Sequence, residues 1–452
     1  MKIHPNDALL EELLLALGSE HRALLEHALD CSYCRARLHS LPTPERGTAA
    51  ERVAKILGWL KASDYEEPLE RSTRDFKKRE LALGKERSEA PALYVELTEH
   101  PPGQREFLLR NVPRFHTWGL FELLVQRSWE MAVGSPAYSE ELAKLAVLVS
   151  ECLRPDAYDM ELVEDLRARA WAYIGNAQRV RSDLQGAEQS LEVAYYHLQQ
   201  GTRELLERAI FLDLKASLLR DQRRFDEAIR LLRRAISIFL QEGEEHRAGR
   251  SLVKLSTVYD DSGRPEEAIP ALSEALGLID PEQEPRLLLS AWHNLSFVLA
   301  DLGRFLEAQS LYRKARPLYR EFSDAWTQNR RKWLKAKILH GLGQSFQAEA
   351  LYLAAQAGFI EEGIPYDTAL VSLELATLYA GQGRTAELRR LAEQMVPIFA
   401  SRQIHRETLA ALAYLKQAAE AEKASFELVA RVAAFVKRAQ FDPGARFEGA
   451  VA

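Results

Sequence analysis

His27, Cys31 and Cys34 stand at the spacing H-x3-C-x2-C. At about 100° per helical residue they share an arc of about 60°, so one imidazole and two thiols point the same way. Zinc prefers that donor mixture, and a tetrahedral structural site needs one donor more. The chain has three cysteines in all, an odd and low count that argues against a disulfide framework. The same pair of thiols also fits a redox switch, in which oxidation of Cys31 and Cys34 expels the metal. Other donors are poorer. His21 lies about 120° off the face, His39 reads as a surface histidine, and Cys152 sits in the apolar run 148–153 as a small buried hydrophobe.

Catalytic signatures are missing from the rest of the sequence. Gly84-Lys85 does not close a phosphate-binding loop, because Arg79 stands where that motif needs glycine. Carboxylate and histidine pairs are scattered along exposed helix faces, where salt bridges explain them. A binding protein is expected, not an enzyme. The 60 basic and 66 acidic residues give a net charge of −6, which argues against direct nucleic-acid binding by the whole chain. Residues 1–12 hold Asp7, Glu11 and Glu12 and no apolar run with a cleavage site. No later stretch approaches a membrane span, so a cytoplasmic protein without a membrane role is expected.

The elements that would carry a binding surface follow from a repeat. Ala228, Ala268, Ala308 and Ala348 stand forty residues apart, and each is followed seven residues later by Ala235, Ala275, Ala315 or Ala355. Gly263, Gly303, Gly343 and Gly383 keep the same phase. In the unit around Trp292, Leu295, Ser296 and Leu299 mark one helix face, Gly303 ends that helix, and Ala308, Tyr312 and Ala315 mark a second. Such a period predicts an all-α solenoid of about six to seven helix pairs. Trp171, Trp292 and the repeat tyrosines read as packing residues.

This pattern resembles the tetratricopeptide repeat over residues 160–400: large, small and aromatic positions on the first helix, two alanines on the second, and Gly175 at the family's helix glycine. The departure is length. The family unit has about thirty-four residues, and the extra six are expected between one pair and the next, around Gly243, Pro281 and Glu321. The resemblance implies a groove lined by first-helix residues, here Asn176, Arg179, Asp213, Arg220, Arg250, Lys254, Thr257, Asp260, His293, Asp301, Trp333, Lys337 and His340. Asn176, Arg250 and Lys254 match three positions of the carboxylate clamp of chaperone-binding members, whereas Ala172 and Leu214 depart from two others. A generic protein or peptide site with aromatic and arginine anchors fits the groove better.

Residues 1–62 lie outside the repeat and resemble the zinc-binding anti-sigma module. The resemblance rests on H-x3-C-x2-C, the leucine-rich stretch Leu9 to Leu17, the approach Leu24-Leu25-Glu26-His27, and Arg35-Ala36-Arg37-Leu38. The family's aspartate before Gly18 is absent. The resemblance implies His4 as the fourth ligand of one structural zinc. It also implies a partner-binding helix over 48–62 with Val53, Ile56, Leu57 and Leu60 on one face. A charged stretch, 63–90, then reads as a flexible linker, 91–159 as a helical region with a degenerate first repeat, and 401–452 as capping helices with a tail.

The expected protein is a non-enzymatic regulator. Its zinc head would hold a sigma factor or other partner, and its groove the protein or peptide that controls it. The alternatives are the thiol redox switch and an assembly scaffold whose zinc module is only a structural cap. Elemental analysis of protein purified without added metal should find one zinc per chain, and Cys31→Ser with Cys34→Ser should lose it. A metal-free wild type that keeps its helical signal in chelator would overturn the assignment.

Overall fold

A computed structural model describes residues 66–132, 134–155, 157–400 and 425–439, together with 27, 31, 34, 37, 412, 415, 416, 446 and 447. Among these residues the secondary structure is helical, with no strand. The helices are α1 (Glu66–Thr98), α2 (Pro102–Asn111), α3 (Trp118–Met131), α4 (Pro136–Cys152), α5 (Met160–Val180), α6 (Leu184–Gln200), α7 (Leu205–Asp221), α8 (Phe225–Gln241) and α9 (Glu245–Asp261). There follow α10 (Pro265–Leu278), α11 (Pro285–Asp301), α12 (Phe305–Glu321), α13 (Ala325–Gly341), α14 (Ser345–Glu361), α15 (Pro365–Gly381), α16 (Thr385–Ala400) and α17 (Phe426–Ala439). From α3 to α16 each helix packs on the next, so seven antiparallel pairs form the expected solenoid.

Helix starts follow ordinary capping chemistry. Thr117, Asp159, Asp183 and Asp324 accept hydrogen bonds from backbone N–H groups in the first turns of α3, α5, α6 and α13. Pro136, Pro265, Pro285 and Pro365 open four others, where no backbone donor is needed. Helix ends repeat one device. Gly303 has φ +75°, its N–H donates to the Ala300 carbonyl, and the Arg304 N–H donates to the Leu299 carbonyl at 2.8 Å. That is a Schellman closure, and Gly263, Gly343 and Gly383 repeat it with φ +76°, +78° and +68°. Arg223 holds the same position at φ +64° without glycine's freedom.

These closures correct the expected placement of the six extra residues. Helices α7, α8 and α9 run seventeen residues each, and only Gln222–Arg224 and Glu242–Glu244 separate them. The added length lies in the helices, because a Schellman turn reverses the chain in three residues. A longer connection occurs after α10, where 279–284 precede Pro285.

All eight phase-locked alanines are fully buried. A methyl at each crossing lets the two backbones approach closely, while Tyr312, Tyr319, Tyr352 and Phe359 fill the wedges between pairs. Trp171 and Trp292 pack against the same core as partly buried residues. Gly175 serves a similar end, since a Cβ there would sit 3.1 Å from the Ala187 carbonyl oxygen and from the Leu191 side chain. Cys152, at the end of α4, is only half-buried.

The charged stretch expected as a linker is helical from Glu66 onward. Its Leu, Ala, Glu, Lys and Arg are good helix formers, and Lys85–Glu89 adds an i,i+4 pair at 3.7 Å. The chain divides into two compact units at Ala82–Leu83, inside α1. Beyond the pairs, α17 packs on α15, the first helix of the last pair, and buries Val429, Val432 and Val436.

Glycine substitutions should separate the turns from the helices. Gly303→Ala forces a Cβ into the left-handed region and should cost about 1–2 kcal/mol. Gly277→Ala, inside α10 with open space around it, should stabilise by about 0.5–1 kcal/mol. Urea titrations of the two variants that move in the same direction would contradict this account.

Candidate functional site

Among the described head residues, His27, Cys31 and Cys34 do converge. Their ligand atoms all lie within 4.8 Å of one another, and Cys34 Sγ is 3.4 Å from His27 Nε2. The helical turn that aligns them is carried by the Cys31 N–H, which donates to the His27 carbonyl at 2.9 Å. Cys34 is buried, and burial pushes its thiol pKa up, with Cys31 adding to the rise. A bound cation reverses that preference by stabilising the thiolates. One nitrogen and two sulfurs suit zinc, with room in the ligand count for a fourth donor. His4, the expected fourth ligand, lies outside the described residues, as do Val53, Ile56, Leu57 and Leu60.

On the solenoid, most charged residues expected in the groove are engaged between successive first helices. Arg179 of α5 reaches Asp221 of α7 at 2.6 Å and also donates to Asn176 Oδ1 at 3.0 and 3.2 Å. Arg220 of α7 pairs with Asp261 of α9 at 2.5 Å. Lys254 pairs back to Asp213 at 2.5 Å, and Ser251 donates to the same carboxylate at 2.8 Å. Arg250 pairs with Glu284 and lies over the Trp129 ring. Asn176, Arg250 and Lys254 therefore already hold intramolecular partners, and a carboxylate clamp built on them would first have to break those contacts.

Further along, Lys337 bridges Asp301 of α11, at 2.6 Å, and Glu374 of α15. Lys437 of α17 returns to this face and contacts Asp260 at 3.1 Å and Asp301 at 2.8 Å. Burial pushes the Asp301 carboxyl up, but Lys337 and Lys437 outweigh burial and hold it below its ordinary value. The Lys337 ammonium is raised by the two carboxylates against the opposing effect of burial.

His293 and Trp333, expected as groove anchors, are instead buried between repeats. His293 Nδ1 lies 2.6 Å from the Tyr319 hydroxyl, and burial holds its imidazole well below the ordinary range, so it is neutral. Trp333 meets Phe297 and Phe359 edge-on at centroid distances of 4.9 and 6.0 Å. A large ring one turn deeper into the wedge packs; it does not wait for a ligand. His340 is half-buried against Tyr352.

The accessible residues on that stripe are Trp326 and Arg330, which the sequence analysis passed over. Trp326 is 43% exposed, and the half-buried Arg330 guanidinium lies 4.9 Å from its ring centroid. Their signal was available: 326, 330, 333, 337 and 340 alternate spacings of four and three along α13 and so share one face.

Lys337→Met should leave Glu374 without its lysine and Asp301 with Lys437 alone, and cost about 3 kcal/mol. The Asp301 contribution has a definite sign. A carboxylate depressed in the folded state stabilises above its unfolded pKa of about 4 and loses that contribution as pH falls through the folded value. In Lys337→Met the acid loss should begin at higher pH. Urea unfolding from neutral to acid pH reads both effects, and an unchanged acid limb would contradict the pairing.

The Tetratricopeptide repeat family model matches residues 207–279, and a second model of the same description matches 289–315. No curated protein matches the chain. Among solved structures, a Rap protein complexed with competence and sporulation factor superposes with TM-score 0.54 at 13% identity, covering 71% of this chain and 87% of that one. Aspartyl phosphate phosphatase F from Bacillus subtilis superposes with TM-score 0.50 at 13% identity, covering 89% and 96%. At such identities the likeness is one of fold. No helix among the described residues is long and apolar enough to cross a membrane. The chain is an all-α solenoid that carries tetratricopeptide repeats.

Proposed function

We propose that this protein is a non-catalytic regulator whose first-helix groove binds a controlling protein or peptide, and whose N-terminal head holds the regulated partner. The observation that carries the groove reading is the composition of the α13 stripe. An exposed Trp326 and a half-buried Arg330 stand at the edge of a rigid, ion-paired surface, and Trp and Arg are the residue types that anchor protein interfaces. The Rap protein of similar fold was solved in complex with competence and sporulation factor, which fits a solenoid that receives a controlling molecule.

For the head, support comes from the convergence of His27, Cys31 and Cys34. A module of about sixty residues has little core of its own, and one zinc on these ligands with His4 would supply the missing stability. The leucine-rich segments would then be left to a partner, with Val53, Ile56, Leu57 and Leu60 as the contact face and a sigma factor as the partner class. The redox reading uses the same thiols, and it would make partner release depend on their oxidation.

Full-length protein mixed with each purified sigma factor of its host tests the head. A complex on gel filtration should be lost in Leu57→Asp while zinc content stays at one per chain. If no sigma factor co-elutes with the wild type, the anti-sigma reading fails. If Leu57→Asp binds as well as wild type, the contact face is wrong.

A further inference from the structure

Between α13 and α15 two charged rungs are laid out in parallel. Lys337 and Glu374 form the closed one. Seven residues earlier on each helix, about 10 Å along the axis, stand Arg330 and Asp367. This second rung is open: among the described residues no carboxylate and no hydrogen-bond acceptor reaches the Arg330 guanidinium, which lies over the Trp326 ring. The two charges still feel each other, because Arg330 offsets part of the rise that burial gives the Asp367 carboxyl. Burial likewise lowers the Arg330 guanidinium against the pull of Asp367, Tyr319 and Asp260. A guanidinium stays charged even so, and its desolvation cost is offset only at a distance, by Asp367, Tyr319 and Asp260, and by the Trp326 ring, with no direct ion pair among the described residues.

Two more polar atoms nearby share this state. His293 Nε2 and Trp333 Nε1 are buried and have no hydrogen-bond partner among the described residues. Both belong to one cluster with Arg330: Phe297 meets both rings, at 5.9 Å from His293 and 4.9 Å from Trp333, and Arg330 depresses the His293 imidazole. If the Tyr319 hydroxyl donates to His293 Nδ1, the remaining imidazole nitrogen is a donor, as is the indole N–H. Unpaired donors and a cation in one cluster are complementary to an anion.

We infer that Arg330, stacked on Trp326, is the anchor for a carboxylate carried by a short peptide lying in the first-helix groove. The inference rests on the groove reading proposed above and specifies its ligand. A guanidinium fork takes a carboxylate through two parallel hydrogen bonds, and that pairing is strongest where water is partly excluded. A dianionic phosphate fits less well, because Asp367 and Asp260 hold negative charge within electrostatic reach of the site. One monoanion balances the guanidinium. Trp326 offers the neighbouring residue of the peptide an exposed aromatic surface. The carboxylate belongs to the peptide's C-terminus or to an Asp or Glu side chain.

The test incubates full-length protein with pools of short synthetic peptides and reads the retained ones by mass spectrometry after gel filtration. One pool has free C-termini and no acidic residue, one is amidated with a single Asp or Glu, and one is amidated and acid-free. Carboxylate-bearing peptides should be retained about tenfold over the acid-free amidated pool, and the first two pools tell the C-terminus from the side chain. Arg330→Gln should abolish the preference, Arg330→Lys should keep a weakened one, and Asp367→Asn should strengthen it by removing a repelling charge. If Arg330→Gln fails to fold, judged by circular dichroism, Arg330→Lys and Asp367→Asn decide. A preference unchanged in either of those variants, or equal retention of acid-free amidated peptides, overturns the anchor while leaving a peptide groove. Retention of no pool at all overturns the groove reading, and the anchor with it.

Discussion

In four successive pairs the closest approach of the two helices is fixed by methyl groups. Ala228 and Ala235, and their counterparts at each forty-residue step, are fully buried where the second helix crosses its neighbours. Any larger side chain there would push the axes apart and open the wedge that the next pair fills. Because the same alanines recur in the same phase, each pair presents its neighbour with the same surface, and the stack can repeat without adjustment. The three-residue Schellman turns work to the same end, returning the chain in register each time.

Constant register has an electrostatic result. Charges at equivalent places on successive first helices come within ion-pair distance again and again, as in Arg179–Asp221 and Arg220–Asp261, each joining one repeat to the next. The surface therefore neutralises itself over most of its length, and little of its formal charge is available to a ligand. Specificity then depends on the places where the pattern fails to close. Departures from a periodic rule carry more functional information than the rule itself.

The period, the helix pairs and the turn glycines were legible in the sequence because each depends on residues close together in the chain. So was the alignment of His27, Cys31 and Cys34, which one helical turn decides. Helix length was less legible. Gly243, at φ +75°, ends α8 by the same Schellman turn, but a glycine there also fits a longer connection, so the six extra residues looked like a loop. Depth was hidden as well. Trp326 and Trp333 share one stripe of α13, and only the packing of Phe297 from the preceding pair and Phe359 from the partner helix α14 sends one inward and leaves the other at the surface. Lys437 had no sequence signal, since its partners Asp260 and Asp301 lie 177 and 136 residues away.

That last contact changes how the stack comes apart. An array held by nearest-neighbour contacts alone loosens like a zipper, with the terminal unit fraying first and the interior untouched. Here the final described helix rests on the last pair and is tethered by Lys437 to carboxylates two and three pairs back. The end cannot peel away without releasing charges in the middle, so fraying at the C-terminal side also breaks contacts to α9 and α11. The linear array thus has a shortcut over this half, a direct contact from α9 and α11 to α17 that skips the repeats between.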